Sequence, residues 1–166
     1  MRFGAPVAAL LLLSACTPTE AQLRQAAELI QWRLLRVEPR LQLAFPLDRS
    51  RLELRLVMEA TNPSPIALRA RGLQGQVLLD HQGRSYPIGN LSLDQGLDLP
   101  AGGRAEVPVQ LSFTHKELSS AWKALSASLD GAGEEVWRFE GRAHLQVLGV
   151  DFEIPVRARH SPGAAP

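Results

Sequence analysis

From Arg51 to Ala60 the chain alternates between two kinds of side chain. Leu52, Leu54, Leu56, Met58 and Ala60 fall on one parity, and Arg51, Glu53, Arg55 and Glu59 on the other. Successive side chains of a strand point to opposite faces, so this run makes one apolar face and one charged face. A helix would scatter the same leucines around its circumference. The run ends in Asn62-Pro63-Ser64-Pro65, where two prolines withdraw backbone donors and hold Asn62 and Ser64 extended. A long strand with one buried face, ending in a rigid polar elbow, needs a second apolar layer to pack on.

The rest of the chain supplies that layer. Trp32 to Phe45 reads as extended, with Leu41, Leu43 and Phe45 alternating and Pro39 marking an edge or first strand. Asp48-Arg49-Ser50 makes a turn. Ile66 to Arg71, Leu73 to Asp80 and Ser85 to Ile88 read as three further strands, with a hairpin break at His81-Gln82-Gly83-Arg84. Leu91, Leu93, Leu97 and Leu99 carry the apolar signal to the turn Pro100-Ala101-Gly102-Gly103. Arg104 to Thr114 is a second long strand, with Val107, Val109, Leu111 and Phe113 on one face. Val136 to Leu148 and Val150 to Arg159 form a last pair around Gly149.

One strong helix interrupts the strands, from Lys116 to Leu129. Thr114 and Glu117 have capping-box spacing, Leu118, Ala121, Trp122 and Leu125 form a helical stripe, and Asp130-Gly131-Ala132-Gly133 ends it. The fold expected is all-β: an immunoglobulin- or fibronectin-III-like antiparallel sandwich with one inserted helix.

The N-terminus reads as an address. Arg2 precedes an apolar run, Ala5 to Leu13, which has the length of a secretory signal and is far short of the ~20 residues of a membrane span. Leu13-Ser14-Ala15-Cys16 follows and resembles the lipobox of bacterial lipoproteins. That resemblance implies cleavage between Ala15 and Cys16 and acylation of Cys16, the only cysteine of the chain. Several acyl chains anchor a protein where one does not. Thr17 in place of an aspartate directs the expectation to the outer membrane, facing the periplasm. The chain then divides into a signal peptide (1–15), a lipidated N-terminus and solvated spacer (16–34) in which Leu23, Ala26, Ala27 and Ile30 have a spacing that permits a short helix, a domain (35–159) and a frayed tail (160–166).

Without the signal, Lys+Arg falls from 18 to 17 and balances the 17 acidic residues, which leaves no electrostatic footprint for nucleic acid. Apolar residues make up 45% of the chain, enough for a core of its own. A single cysteine excludes an internal disulfide.

No pattern in the sequence points to catalysis, a metal or a cofactor. His81, His115, His144 and His160 lack metal-site spacing and are expected to be solvent-exposed singles. Gly72-Leu73-Gln74-Gly75 lacks the phosphate-loop spacing and lysine. Glu134-Glu135 is expected to sit in a solvated loop, and Trp32, Trp122 and Trp137 to anchor the core.

The order of a strand, Asn62-Pro63-Ser64-Pro65, a hairpin at Gly83, Leu99-Pro100-Ala101-Gly102-Gly103, then Val107 through Phe113 resembles the late embryogenesis abundant type-two proteins and their water-stress and hypersensitive-response (WHy) domain. Phe139-Glu140-Gly141 and Leu148-Gly149 fit it too, while Ser64 stands where the family more often has asparagine. The resemblance covers roughly residues 35–159. It implies a sandwich whose motifs are turns rather than catalytic groups, and a role in protection against drying and other stress. The partners expected are the membrane, through Cys16, and client proteins. The alternatives are an envelope adaptor, binding a protein through a sheet edge or the 115–129 helix, and a carrier of a lipid or small molecule between its sheets.

Overall fold

The computed structural model describes residues 17–129 and 135–161. In chain order they form α1 (Glu20–Glu28), β1 (Gln31–Gln42), β2 (Arg51–Thr61), β3 (Leu68–His81), β4 (Arg84–Leu93), β5 (Leu97–Leu99), β6 (Arg104–Thr114), α2 (Trp122–Leu129), β7 (Glu135–Val147) and β8 (Val150–His160). Two antiparallel sheets result, β1-β2-β6 and β4-β3-β7-β8, with β5 beside the start of β3. The molecule is an all-β sandwich.

Alternation in β2 sets the first sheet. Leu52, Leu54, Leu56, Met58 and Ala60 are all buried, and lie opposite Phe113, Leu111, Val109, Val107 and Ala105 of β6. On the other side they meet Leu41, Pro39, Val37, Leu34 and Trp32 of β1. A bulge between Leu34 and Arg36 shifts the parity of β1 by one residue. Without it, Trp32 and Leu34 or Val37 and Leu41 would point to solvent.

The second sheet presents Leu73, Val77 and Leu79 of β3, Phe139, Ala143 and Leu145 of β7, and Phe152, Ile154 and Val156 of β8, all buried. Gly75 and Gly141 face each other across β3 and β7. A Cβ on either would strike the Phe139 ring and the neighbouring backbone, so the ring lies over a gap that only glycines leave open. The separate strands expected on either side of Gly72 are one strand, β3, because a bulge between Ala70 and Gly72 absorbs the break in pattern.

Edges and centres differ in proline. Pro39, Pro87, Pro108 and Pro155 fall one each in β1, β4, β6 and β8, the strands that end a sheet, and none falls in β2, β3 or β7. Proline offers no donor to a further strand, so each of these edges is blunted against pairing.

Both helices close the sandwich. The solvated spacer expected over residues 16–34 is corrected for its middle: α1 packs on β7 and β8 and buries Leu23, Ala26 and Ala27. Thr19 caps it, accepting from the Gln22 amide while Gln22 Oε1 accepts from the Thr19 amide at 2.9 Å. The inserted helix is shorter than its stripe predicts. Residues 115–121 are turns and α2 begins at Trp122, with the Ser119-Ser120 pair, poor in helix propensity, in the turn segment. The capping box still forms: Thr114 donates through its amide (2.7 Å) and hydroxyl (2.8 Å) to Glu117, holding that carboxyl below its usual pKa. Leu118, Ala121, Ala124 and Leu125 enter the core.

Candidate functional site

The two turn motifs far apart in sequence meet at one corner. Along Asn62-Pro63-Ser64-Pro65 the alternation of β2 continues, with Asn62 and Ser64 buried and both prolines turned outward. Asn62 Nδ2 donates to the carbonyls of Ile66 (2.9 Å), Leu99 (3.2 Å) and Pro100 (3.1 Å). Its Oδ1 accepts from the Ser64 amide (3.0 Å) and hydroxyl (2.8 Å), an Asx turn with a second donor added. The Asn62 amide donates to Gly103 O and the Gly102 amide to Ser64 O. Gly102, at φ 63°, reverses the chain so that Gly103 can reach back. Every polar atom of the Asn62 side chain is therefore used inside the protein, and the corner clamps β2, β3, β5 and β6 together.

The histidines do not all lie where the sequence placed them. His144 is exposed and His115 and His160 half-buried, but His81 is buried, a correction: it ends β3 on the inward parity. Its Nδ1 has no partner among the described residues. His115 stacks edge-on against Trp122, centroids 4.5 Å apart. Trp137 is a fully buried anchor, whereas Trp32 and Trp122 are half-buried against the core. Glu135 begins β7; Glu134 and the turn Asp130-Gly131-Ala132-Gly133 lie outside the described residues, as do Ala15, Cys16, the rest of the signal segment and the tail from 162 on. Among the described residues no three candidate ligands gather as a metal site.

A strongly tied charge cluster lies on the outer face of the second sheet. Arg138 grips Asp80, Nε to Oδ2 at 2.5 Å and Nη2 to Oδ1 at 3.0 Å, and also donates to Ser85 and Glu140. Burial pushes the Asp80 carboxyl up, but the hydrogen bonds from Arg138 and Ser85 outweigh it and hold the pKa below its ordinary value. These pairs are structural links between β3, β4 and β7.

Three further features lie at the surface. Leu118, Ala121 and Leu125 of the 115–129 stripe are spent in the core with Trp122 half-buried against it, which leaves Lys116, Ser119, Ser120 and Lys123 outside. The sequence pattern extends the first strand to Phe45, yet β1 stops at Gln42, and Leu43, Phe45 and Leu47 stand in solvent at 69%, 94% and 54% exposure. Alternation with Leu41 puts Leu43 and Phe45 on the apolar face of an extended strand; nothing in the local pattern signals that the strand ends before them. Finally, a cleft of about 140 Å³ opens between the sheets where β6 passes the β4–β5 connection, walled by Trp32, Ala70, Leu73, Leu97, Val107 and Pro108.

No family model matches the chain and no curated protein matches its sequence. Solved structures align with most of the chain. The solution structure of the Arabidopsis thaliana protein AT1g01470 aligns over 79% of each chain with a TM-score of 0.51 at 15% identity. A protein described as a candidate late embryogenesis abundant (LEA) protein, At2g46140.1, aligns over 85% of this chain and 80% of its own, with a TM-score of 0.38 at 15% identity. A protein from Archaeoglobus fulgidus aligns over 77% and 94%, with a TM-score of 0.44 at 8% identity. At these identities the likeness to the Arabidopsis thaliana protein AT1g01470 is one of fold.

Proposed function

We propose that this chain is a lipid-anchored protein of the cell envelope that protects other proteins under stress by contact, without making or breaking covalent bonds. The observation that carries the reading is the Asn62 corner. Two of the motifs that carry the resemblance to the WHy domain, Asn62-Pro63-Ser64-Pro65 and Leu99–Gly103, are one hydrogen-bonded unit rather than two coincidences of composition. Leu13-Ser14-Ala15-Cys16 supports the anchor, and only Thr17, Pro18 and Thr19 separate Cys16 from α1. With α1 seated on β8 beside Phe152, where Arg24 lies over the ring at 5.5 Å, so short a link holds the domain close to the bilayer. Among the described residues no helix is long and apolar enough to cross a membrane.

The test has two arms. The mature protein should preserve the activity of a labile enzyme through drying or heating better than an equal mass of inert protein; no advantage removes the protective role. Cys16→Ser should release the protein from the membrane fraction of cells, and unchanged fractionation removes the anchor.

A further inference from the structure

Two features of the surface are unfavourable for an isolated copy. One is the Leu43–Leu47 loop, which holds Phe45 at 94% exposure. The loop is braced rather than loose. Ser50 Oγ accepts from the Ala44 amide at 3.0 Å and lies 3.3 Å from Ala44 O, and the Arg49 and Ser50 amides donate back to Pro46 and Leu47. The other is the cleft beside Trp32. Its volume, about 140 Å³, is that of an apolar cavity able to take a benzene ring. The Trp32 indole N–H is shielded from solvent and has no acceptor among the described residues.

The fold itself shows what fills this seam. At the far end of β6, the Phe113 ring occupies the space that Gly89 of β4 leaves free, since a Cβ there would overlap the ring. Toward the start of β6 the indole of Trp32 walls the seam without filling it, and the cleft is what remains. Charge agrees as well. Arg40, Arg49 and Arg51, around the loop, outnumber Asp48 and Glu53, and none of the three is ion-paired among the described residues. Glu106 on the cleft wall and Asp94 beside it are exposed and likewise unpaired.

We propose that the Leu43–Leu47 loop of one copy seats Phe45 in the Trp32 cleft of a second copy. The loop follows the end of β1, and the cleft lies at its beginning, so one copy cannot fill its own cleft. Such a contact is heterologous and propagates as a row unless it closes into a ring. A single loop in a single cleft is small against the roughly 1,200–2,000 Å² of a stable interface, so the association is weak and grows with local concentration.

The test is photo-crosslinking in cells, on the full chain with p-benzoylphenylalanine in place of Phe45. The expected result is a ladder of crosslinked copies, with adducts at 95–97 or 106–108 of a second copy. Glu106→Arg, on an exposed side chain, should cut the yield several-fold, and Arg49→Glu in the same chain should restore it. Adducts only with lipid or with a different protein, or no adducts, overturn the proposal. So does a yield unchanged by both Glu106→Arg and the cleft-filling Ala70→Leu.

Discussion

Strand β2 is entered and left through two proline-bearing connections that treat their side chains in opposite ways. The corner after it turns Asn62 and Ser64 inward, satisfies them with buried hydrogen bonds and leaves only prolines outside. The loop before it turns Leu43, Phe45 and Leu47 outward and keeps a single buried polar residue, Ser50, to brace itself. Burying a polar group is favourable only when it is fully bonded, and exposing a phenyl ring forgoes its transfer free energy. The corner therefore holds the molecule together, whereas the loop costs the isolated molecule something and offers it to another surface.

The contrast breaks most easily at the corner. Asn62→Ala should remove five hydrogen-bond contacts and leave the Leu99 carbonyl buried beside a cavity. The expected loss is about 3 kcal/mol or more by denaturant titration, since each unsatisfied buried group costs about 1–3 kcal/mol. Ser64→Ala keeps the Asx turn, whose acceptor is Asn62 and whose donor is the Ser64 amide, and loses only the hydroxyl. A loss of about 1–2 kcal/mol by the same titration separates the two roles.

At the loop's end of the sandwich the polar ties are half-exposed, and their effect should be smaller and dependent on pH. Asp80 has a lowered pKa in the folded state, so its contribution is present above the ordinary carboxylate range and is lost as pH falls through the lowered value. Arg138→Met should cost about 1 kcal/mol at pH 7, and the difference from the parent should shrink in acid below about pH 4. Urea midpoints measured across that range check it.

Much of this was legible in the sequence, for reasons that differ by element. The parity of β2, β6 and β8 named their buried faces because each has one face in the core. Pro39 marked an edge, and the same logic applied to Pro87, Pro108 and Pro155 would have found the other three. Thr19-Glu20-Ala21-Gln22 carries the capping-box spacing that announces α1, but the burial of Leu23 and Ala27 depends on β8 lying beside them, which no local pattern records. Bulges hid the continuity of β3 and shifted the phase of β1, because one inserted residue looks like a break when strands are read singly. The Phe45 loop was hidden for the opposite reason: its alternation is that of a buried strand, and only the tertiary fold places it past the last pair, Gln42 with Arg51. The cleft depends on what Phe113 fills and what it leaves, which is wholly a matter of packing.

The division of labour between the two ends of β2 is most directly tested by unfolding Asn62→Ala and Phe45→Ser side by side under dilute conditions. The corner variant should melt well below the parent, by more than about 5 °C for a loss near 3 kcal/mol in a chain of this size. The loop variant should melt with the parent, within the ±0.5 kcal/mol typical of exposed substitutions. A Phe45→Ser protein destabilised as much as Asn62→Ala, or an Asn62→Ala protein as stable as the parent, would contradict the account.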